Sequence, residues 1–179
     1  MGMRPVIITG SAENLFMDMA LLREHVIKPP ECDAICVNRS VLYYPYFFQH
    51  WVSLHVDLAR DLQWVKNKCS FKTHSNRPGP GIDKIWPMHP FNGDSGLFAV
   101  RIAVKLGYEK IILCGLPLDS RRKIYQVKEN GNSFDCTSNI KLWQETARDE
   151  FEDRVRSMSG NTREILGEPT KEWICQQLK

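Results

Sequence analysis

Apolar residues recur along this chain in two alternating rhythms, unbroken runs of four or five and stripes at helical spacing. Lys110-Ile-Ile-Leu-Cys-Gly115 is an apolar run without polar alternation, the pattern of a parallel strand covered on both faces. Ahead of it, in the stretch that starts at Asp94, Leu97 to Val100, Ile102 to Val104 and Leu106 are apolar, while Arg101 and Lys105 share one narrow stripe. That spacing predicts a helix buried over most of its circumference, and Gly107 is placed to end it in a left-handed cap. Asp83 to Met88 is a strand candidate, and His89-Pro-Phe-Asn-Gly93 is a loop rich in turn residues. Strand, loop, helix and strand make a βαβ unit, which crosses over right-handed.

The N-terminal part repeats the theme. Pro5 to Thr9 reads as a strand, Gly10-Ser11-Ala12 as a tight turn, and Asn14 to Val26 as a helix with Leu15, Met19, Leu22 and Val26 on one face. Pro29-Pro30 blocks its continuation. Further strands are predicted at Asp33–Val37, His50–Leu54 and Cys69–Thr73, with a helix from Asp57 to about Lys66. After Asp119 the chain turns polar. Residues 120–137 read as an exposed excursion, 138–155 as an amphipathic helix with Ile140, Trp143, Ala147, Phe151 and Val155 on one face, and 170–178 as a last short helix. The expected fold is α/β and Rossmann-like: a mostly parallel open sheet flanked by helices on both faces. Residues 1–179 form one domain in this reading, with a polar excursion at 120–137 and a helical C-terminal part at 138–179.

Composition narrows the function classes. A net charge of +3 with dispersed basic residues disfavours nucleic acid, and the adjacent pair Arg121-Arg122 reads as a solvated loop. No apolar run approaches the ~20 residues of a membrane span, and no charged-then-apolar leader precedes the first strand, so a cytoplasmic protein is expected. Val6 argues against myristoylation at Gly2. Of the six cysteines only Cys32 and Cys36 are close together, which fits reduced core thiols rather than a zinc site. Self-association is left open by the sequence.

In open parallel sheets, ligands bind beyond the carboxyl ends of the strands. The residues there are Gly10 and Ser11, Asn38 with Arg39 and Ser40, His55, His74, His89 to Ser95, and Asp119. Gly10-Ser11-Ala12 and Asn92-Gly93-Asp94-Ser95-Gly96 each enter a helix, where free backbone N–H groups suit an anion, and Gly93 and Gly96 permit close approach to a ligand. Neither is a Gly-x-Gly-x-x-Gly fingerprint or a P-loop. Asp94 or Ser95 equally fits a plain helix cap. Asn38 either holds a base or ribose or closes an Asx turn; Asp119 either takes a ribose hydroxyl or Mg²⁺ or caps a turn. His89 is the first candidate general base and His55 the second. Tyr43, Tyr44, Tyr46, Phe47 and Phe48 form an aromatic cluster read chiefly as a packed lid.

The stretch Asn92-Gly-Asp-Ser-Gly-Leu-Phe-Ala-Val-Arg-Ile-Ala-Val-Lys-Leu-Gly-Tyr-Glu-Lys-Ile-Ile-Leu-Cys-Gly-Leu-Pro-Leu-Asp119 resembles the core of bacterial sialyltransferases of the Campylobacter type, which use CMP-sialic acid, and of the MptE-like pyrophosphokinases. Ile8-Thr-Gly-Ser11 is loosely similar to their first turn, with Gly-Ser-Ala in place of Gly-x-Gly-Pro-Ser, and Asn38 is placed as the sialyltransferases place an Asn. Over nearly its full length the chain is similar to short uncharacterised bacteriophage proteins, through Trp51-Val-Ser-Leu-His55, Ser95-Gly96 and Arg156-Ser-Met-Ser-Gly160. These resemblances imply a phage protein of the host bacterial cytoplasm that binds a nucleotide or nucleotide-sugar and acts as a transferase. They leave two alternatives: a non-catalytic phage factor that binds a nucleotide signal or a host protein, and a Mg²⁺-dependent pyrophosphokinase.

Overall fold

The computed structural model describes residues 4–28, 31–87, 93–120, 123–125, 137–151 and 153–176. Seven strands form one parallel sheet: β1 (Val6–Thr9), β2 (Asp33–Val37), β3 (His50–Val52), β4 (Lys72–Ser75), β5 (Lys84–Ile85), β6 (Ile111–Cys114) and β7 (Val155–Ser157). Their order is β5-β4-β3-β2-β1-β6-β7. The chain starts at β1, steps outward to β5, then crosses back to lay β6 on the other side of β1. The strand order reverses between β1 and β6, so a crevice opens there at the carboxyl ends. The fold is Rossmann-like α/β.

Each face of the sheet carries its own apolar layer, because successive side chains point to opposite sides. Ile7, Ala34, Cys36, Trp51 and Ile112 pack with α1 (Leu15–His25), with α2 (Asp57–Asp61) and α3 (Gln63–Lys66), and with Trp173. Val6, Ile8, Ile35, Val37, Val52, Ile111 and Leu113 pack on the other face with α4 (Ser95–Lys105) and with Trp143 of α5 (Thr137–Thr146). Phe98 and Ile102 of α4 are fully buried, as its apolar girth requires. Gly107 adopts φ +92° just beyond it, the left-handed cap expected there.

Several boundaries differ from expectation. β4 runs from Lys72 to Ser75 rather than from Cys69 to Thr73, so His74 lies inside the strand, 2% exposed, and not at its rim. The helix expected at 57–66 is broken at Leu62 into α2 and α3. The helix expected over 138–155 ends as a π turn at Ala147–Phe151. Val155 instead opens β7, paired to the free edge of β6, so 138–179 is not wholly helical. Val155 stands four residues after Phe151 and fits a helical stripe as well as a strand; the unpaired edge of β6 decides between them. α6 (Gly160–Leu166) follows β7, and α7 (Lys171–Cys175) falls within the expected last helix. The described cysteines are free thiols, and burial pushes Cys32 and Cys36 up to about 12, far from reactivity. Tyr44 and Phe48 belong to the core, whereas Phe47 is exposed. Among the described residues no helix is long and apolar enough to cross a membrane.

Candidate functional site

A cleft of about 720 Å³, counting the solvent at its open mouth, lies at the carboxyl ends of β1, β2 and β6 where the strand order reverses. Its enclosed space is about 120 Å³, less than small-molecule sites usually offer, so the described walls form a shallow, open-mouthed cleft. Of the residues singled out in the sequence, Gly10, Ser11, Asn38, Asp94, Ser95, Gly96 and Asp119 line it. Gly93 and His55 are not among its lining residues. His55 is exposed, its backbone N–H donating to Ser53 Oγ at 2.9 Å. His89 and Asn92 lie outside the described residues.

Two glycines meet at the β1–β6 crossing, and Gly10 of the pair lines the cleft. Gly10 donates its N–H to the Cys114 carbonyl at 2.8 Å. Gly115, at φ +66°, donates to the buried Asp18 carboxylate at 2.8 Å. The same Asp18 oxygen accepts from Asn14 Nδ2 and Ser159 Oγ, each at 2.8 Å, which ties α1 to both strand ends.

Asn38 and Leu118 are the two non-glycine residues with positive φ among those described, at +52° and +51°, and both line the cleft. Such strained conformations persist only where the surroundings over-determine them, and they gather at functional sites. Ser40 Oγ holds the Asn38 turn by donating to the Thr9 carbonyl and accepting the Val37 N–H. The Asn38 carbonyl accepts from Trp51 Nε1 at 2.7 Å, and its Oδ1 accepts from Ser53 Oγ at 2.6 Å. The hydrogen bond to Oδ1 fixes the orientation of the amide. Leu118 is held through its carbonyl by Asn161 Nδ2 at 2.7 Å.

Asp94 is the N-cap of α4. Its Oδ1 accepts the Leu97 N–H at 2.8 Å and its Oδ2 accepts from Trp143 Nε1 at 3.0 Å. Both oxygens accept hydrogen bonds, so Asp94 serves as the cap of α4. Asp94→Ala is expected to cost about 1 kcal/mol for the cap, with more from the stranded indole N–H. Asp94→Asn, which keeps Oδ1, should recover most of this in thermal unfolding; equal losses in the two variants would refute the capping account.

Sequence reasoning missed several lining residues. Leu116 to Leu118 follow β6 directly and fall under the strand-end rule; Trp143 and Thr162 come from packing of α5 and α6. Lys123 and Tyr125 come from the excursion expected to be exposed. Lys123 instead forms an antiparallel bridge with Ala12, and the Ile124 N–H donates to the Ser11 carbonyl at 2.8 Å. No periodicity announces such a return. Burial lowers the Lys123 pKa, opposed by the nearby Asp94 and Asp119 carboxylates. Among the described residues no three His, Cys, Asp or Glu side chains gather as a metal site requires. Asp94 and Asp119 are the acidic groups on the described walls.

The chain matches no family model, no curated protein and no solved structure.

Proposed function

We propose that the cleft binds a nucleotide or nucleotide-sugar and that the protein is a glycosyl- or nucleotidyl-type transferase. One observation carries the reading: Ser11, Asn38, Ser95, Gly96 and Asp119, distant along the chain, share one cleft at the reversal of strand order, beside two strained backbones. Ser11, Ser95 and Gly96 face phosphate, Asn38 donates to a base or ribose, and Asp119 accepts a ribose hydroxyl. His89, four residues before Gly93, deprotonates the acceptor, with His55 the second candidate. The resemblance to sialyltransferase cores and to phage proteins supports this reading, and with it a protein acting in the host bacterial cytoplasm.

Calorimetry with CMP, UDP, ATP and GTP, with and without Mg²⁺, tests it: at least one should bind with a Kd below 1 mM (~4 kcal/mol of binding free energy). No heat at millimolar ligand with the folded protein would overturn the reading. A second reading, binding without turnover, is favoured by the described lining, which holds no imidazole. Under it His89→Ala and His55→Ala leave affinity unchanged and no transfer is detected with any acceptor; loss of transfer in His89→Ala would exclude it.

A further inference from the structure

The chain directly after β6 is held in a conformation its residues do not favour. Leu118 stands at φ +51°, where a branched side chain crowds the backbone and glycine or asparagine fits readily. The start of α6 holds it there. Thr162 Oγ1 donates to the Leu116 carbonyl at 2.7 Å, the Thr162 N–H reaches the Pro117 carbonyl at 3.4 Å, and Asn161 Nδ2 donates to the Leu118 carbonyl at 2.7 Å. Two adjacent residues thus grip three consecutive carbonyls. Gly160, at φ +65°, lets the grip close, since a Cβ there would collide with the Pro117 carbonyl oxygen.

A leucine at such a position carries strain that a glycine would not, and over-determined strain of this kind gathers where a ligand is held. Packing accounts for part of the side chain, because Leu118 rests against the apolar layer on the α4 face. That layer covers it only partly, and with Leu116 and Pro117 it lines the cleft. One stretch of wall is therefore apolar, while Ser11, Asn38, Ser95 and Asp119 bring polar groups to the same cleft. We propose that Leu118 is a specificity-determining residue, its side chain the apolar wall against which the base of a nucleotide rests, positioned by Asn161 and Thr162. This rests on the nucleotide reading and deepens it: the base lies on the loop after β6, and the phosphate is left to the turns at Ser11 and Ser95.

The test combines thermal unfolding with titration of the four ribonucleosides and their 5′-monophosphates, on the full chain and on Leu118→Gly, Leu118→Ala and Leu118→Met. Glycine and alanine lose the same side chain, but only glycine relieves the backbone, so Leu118→Gly should unfold roughly 3 °C above Leu118→Ala. Both should bind about tenfold more weakly than the parent, as loss of a buried leucine contact gives, and by the same factor for a nucleoside and its monophosphate. Leu118→Met, which keeps an apolar side chain, should retain most of the affinity. A Leu118→Gly protein that is the more stable of the two and binds no better cannot owe its loss to unfolding. Parent affinity in Leu118→Gly and Leu118→Ala, a loss confined to the monophosphates, or no difference in Tm between the two would overturn the assignment while leaving nucleotide binding standing. If no nucleoside or nucleotide binds the parent, the nucleotide reading falls and the base wall with it.

Discussion

Gly10→Ala is expected to destabilise the protein by about 3 kcal/mol or more, as overpacking of a closed interface does, and to lower its Tm by roughly 10 °C. A Cβ at Gly10 would collide with the Gly115 carbonyl oxygen and stand 2.6 Å from Leu116 Cδ2. The Leu116 side chain can shift, but the Gly115 carbonyl is main chain and cannot retreat. Gly115 sits at φ +66°, and its own missing Cβ would lie 2.9 Å from the Gly10 carbonyl oxygen and from Leu15 Cβ. The two glycines are mutual requirements of the β1–β6 crossing, so Gly10 is explained by packing before any ligand arrives. Thermal and urea unfolding of Gly10→Ala against Ser11→Ala checks this. The serine lines the same cleft without sitting at the closest backbone approach, and its variant should stay near the parent. A Gly10→Ala protein as stable as the parent would refute the crossing as drawn.

The second large effect is an acid-dependent loss of stability centred on His74. Trp86 Nε1–H donates to His74 Nδ1 at 2.9 Å, so His74 carries its proton on Nε2, which lies 2.9 Å from His50 Nδ1. Both rings are therefore neutral in the folded chain. Burial, then the neighbouring His50 and Lys84, hold His74 down to about 4, and burial also lowers His50 despite Asp33. The unfolded chain binds a proton near 6.5, where the folded chain does not. Stability is therefore intact above pH 6.5 and falls as the pH drops from there to about 4, below which this contribution is constant. The gap corresponds to about 3 kcal/mol. Urea unfolding at pH 7.5 and pH 4.5 should show most of that loss in the parent and a visibly smaller one in His74→Gln. Equal pH dependence in the two proteins would sink the account. β5, a two-residue edge strand just before Trp86, should exchange its amides first on acidification.

Elements whose signal is local were legible along the chain. The apolar run at 110–115 and the helix after Asp94 are set by burial on both sheet faces, and β2 begins and ends where the apolar pattern does. Where two periods coincide, the pattern was ambiguous: Val155 fits the helical stripe of Phe151 but joins β6, because an open strand edge outbids one more helical turn. His74 was misplaced because two β-compatible residues, Phe71 and Thr73, bracket the true start of β4. At the site, the strand-end rule brought together Ser11, Asn38, Ser95 and Asp119. It did not distinguish Asp94 as a committed cap, and it was silent about Lys123, which returns by a long excursion.

The alternation of strands and helices as far as β6, the depth of α4 in the core and the glycine at its end were fixed by the residues themselves, since each depends on neighbours a few positions away. The reversal between β1 and β6, the left-handed Asn38 and Leu118, the Trp86–His74–His50 chain and the seat of Lys123 were decided by tertiary packing alone. Each of these joins groups separated by tens of residues or is imposed by such contacts, and periodicity carries no information about which distant surfaces will meet.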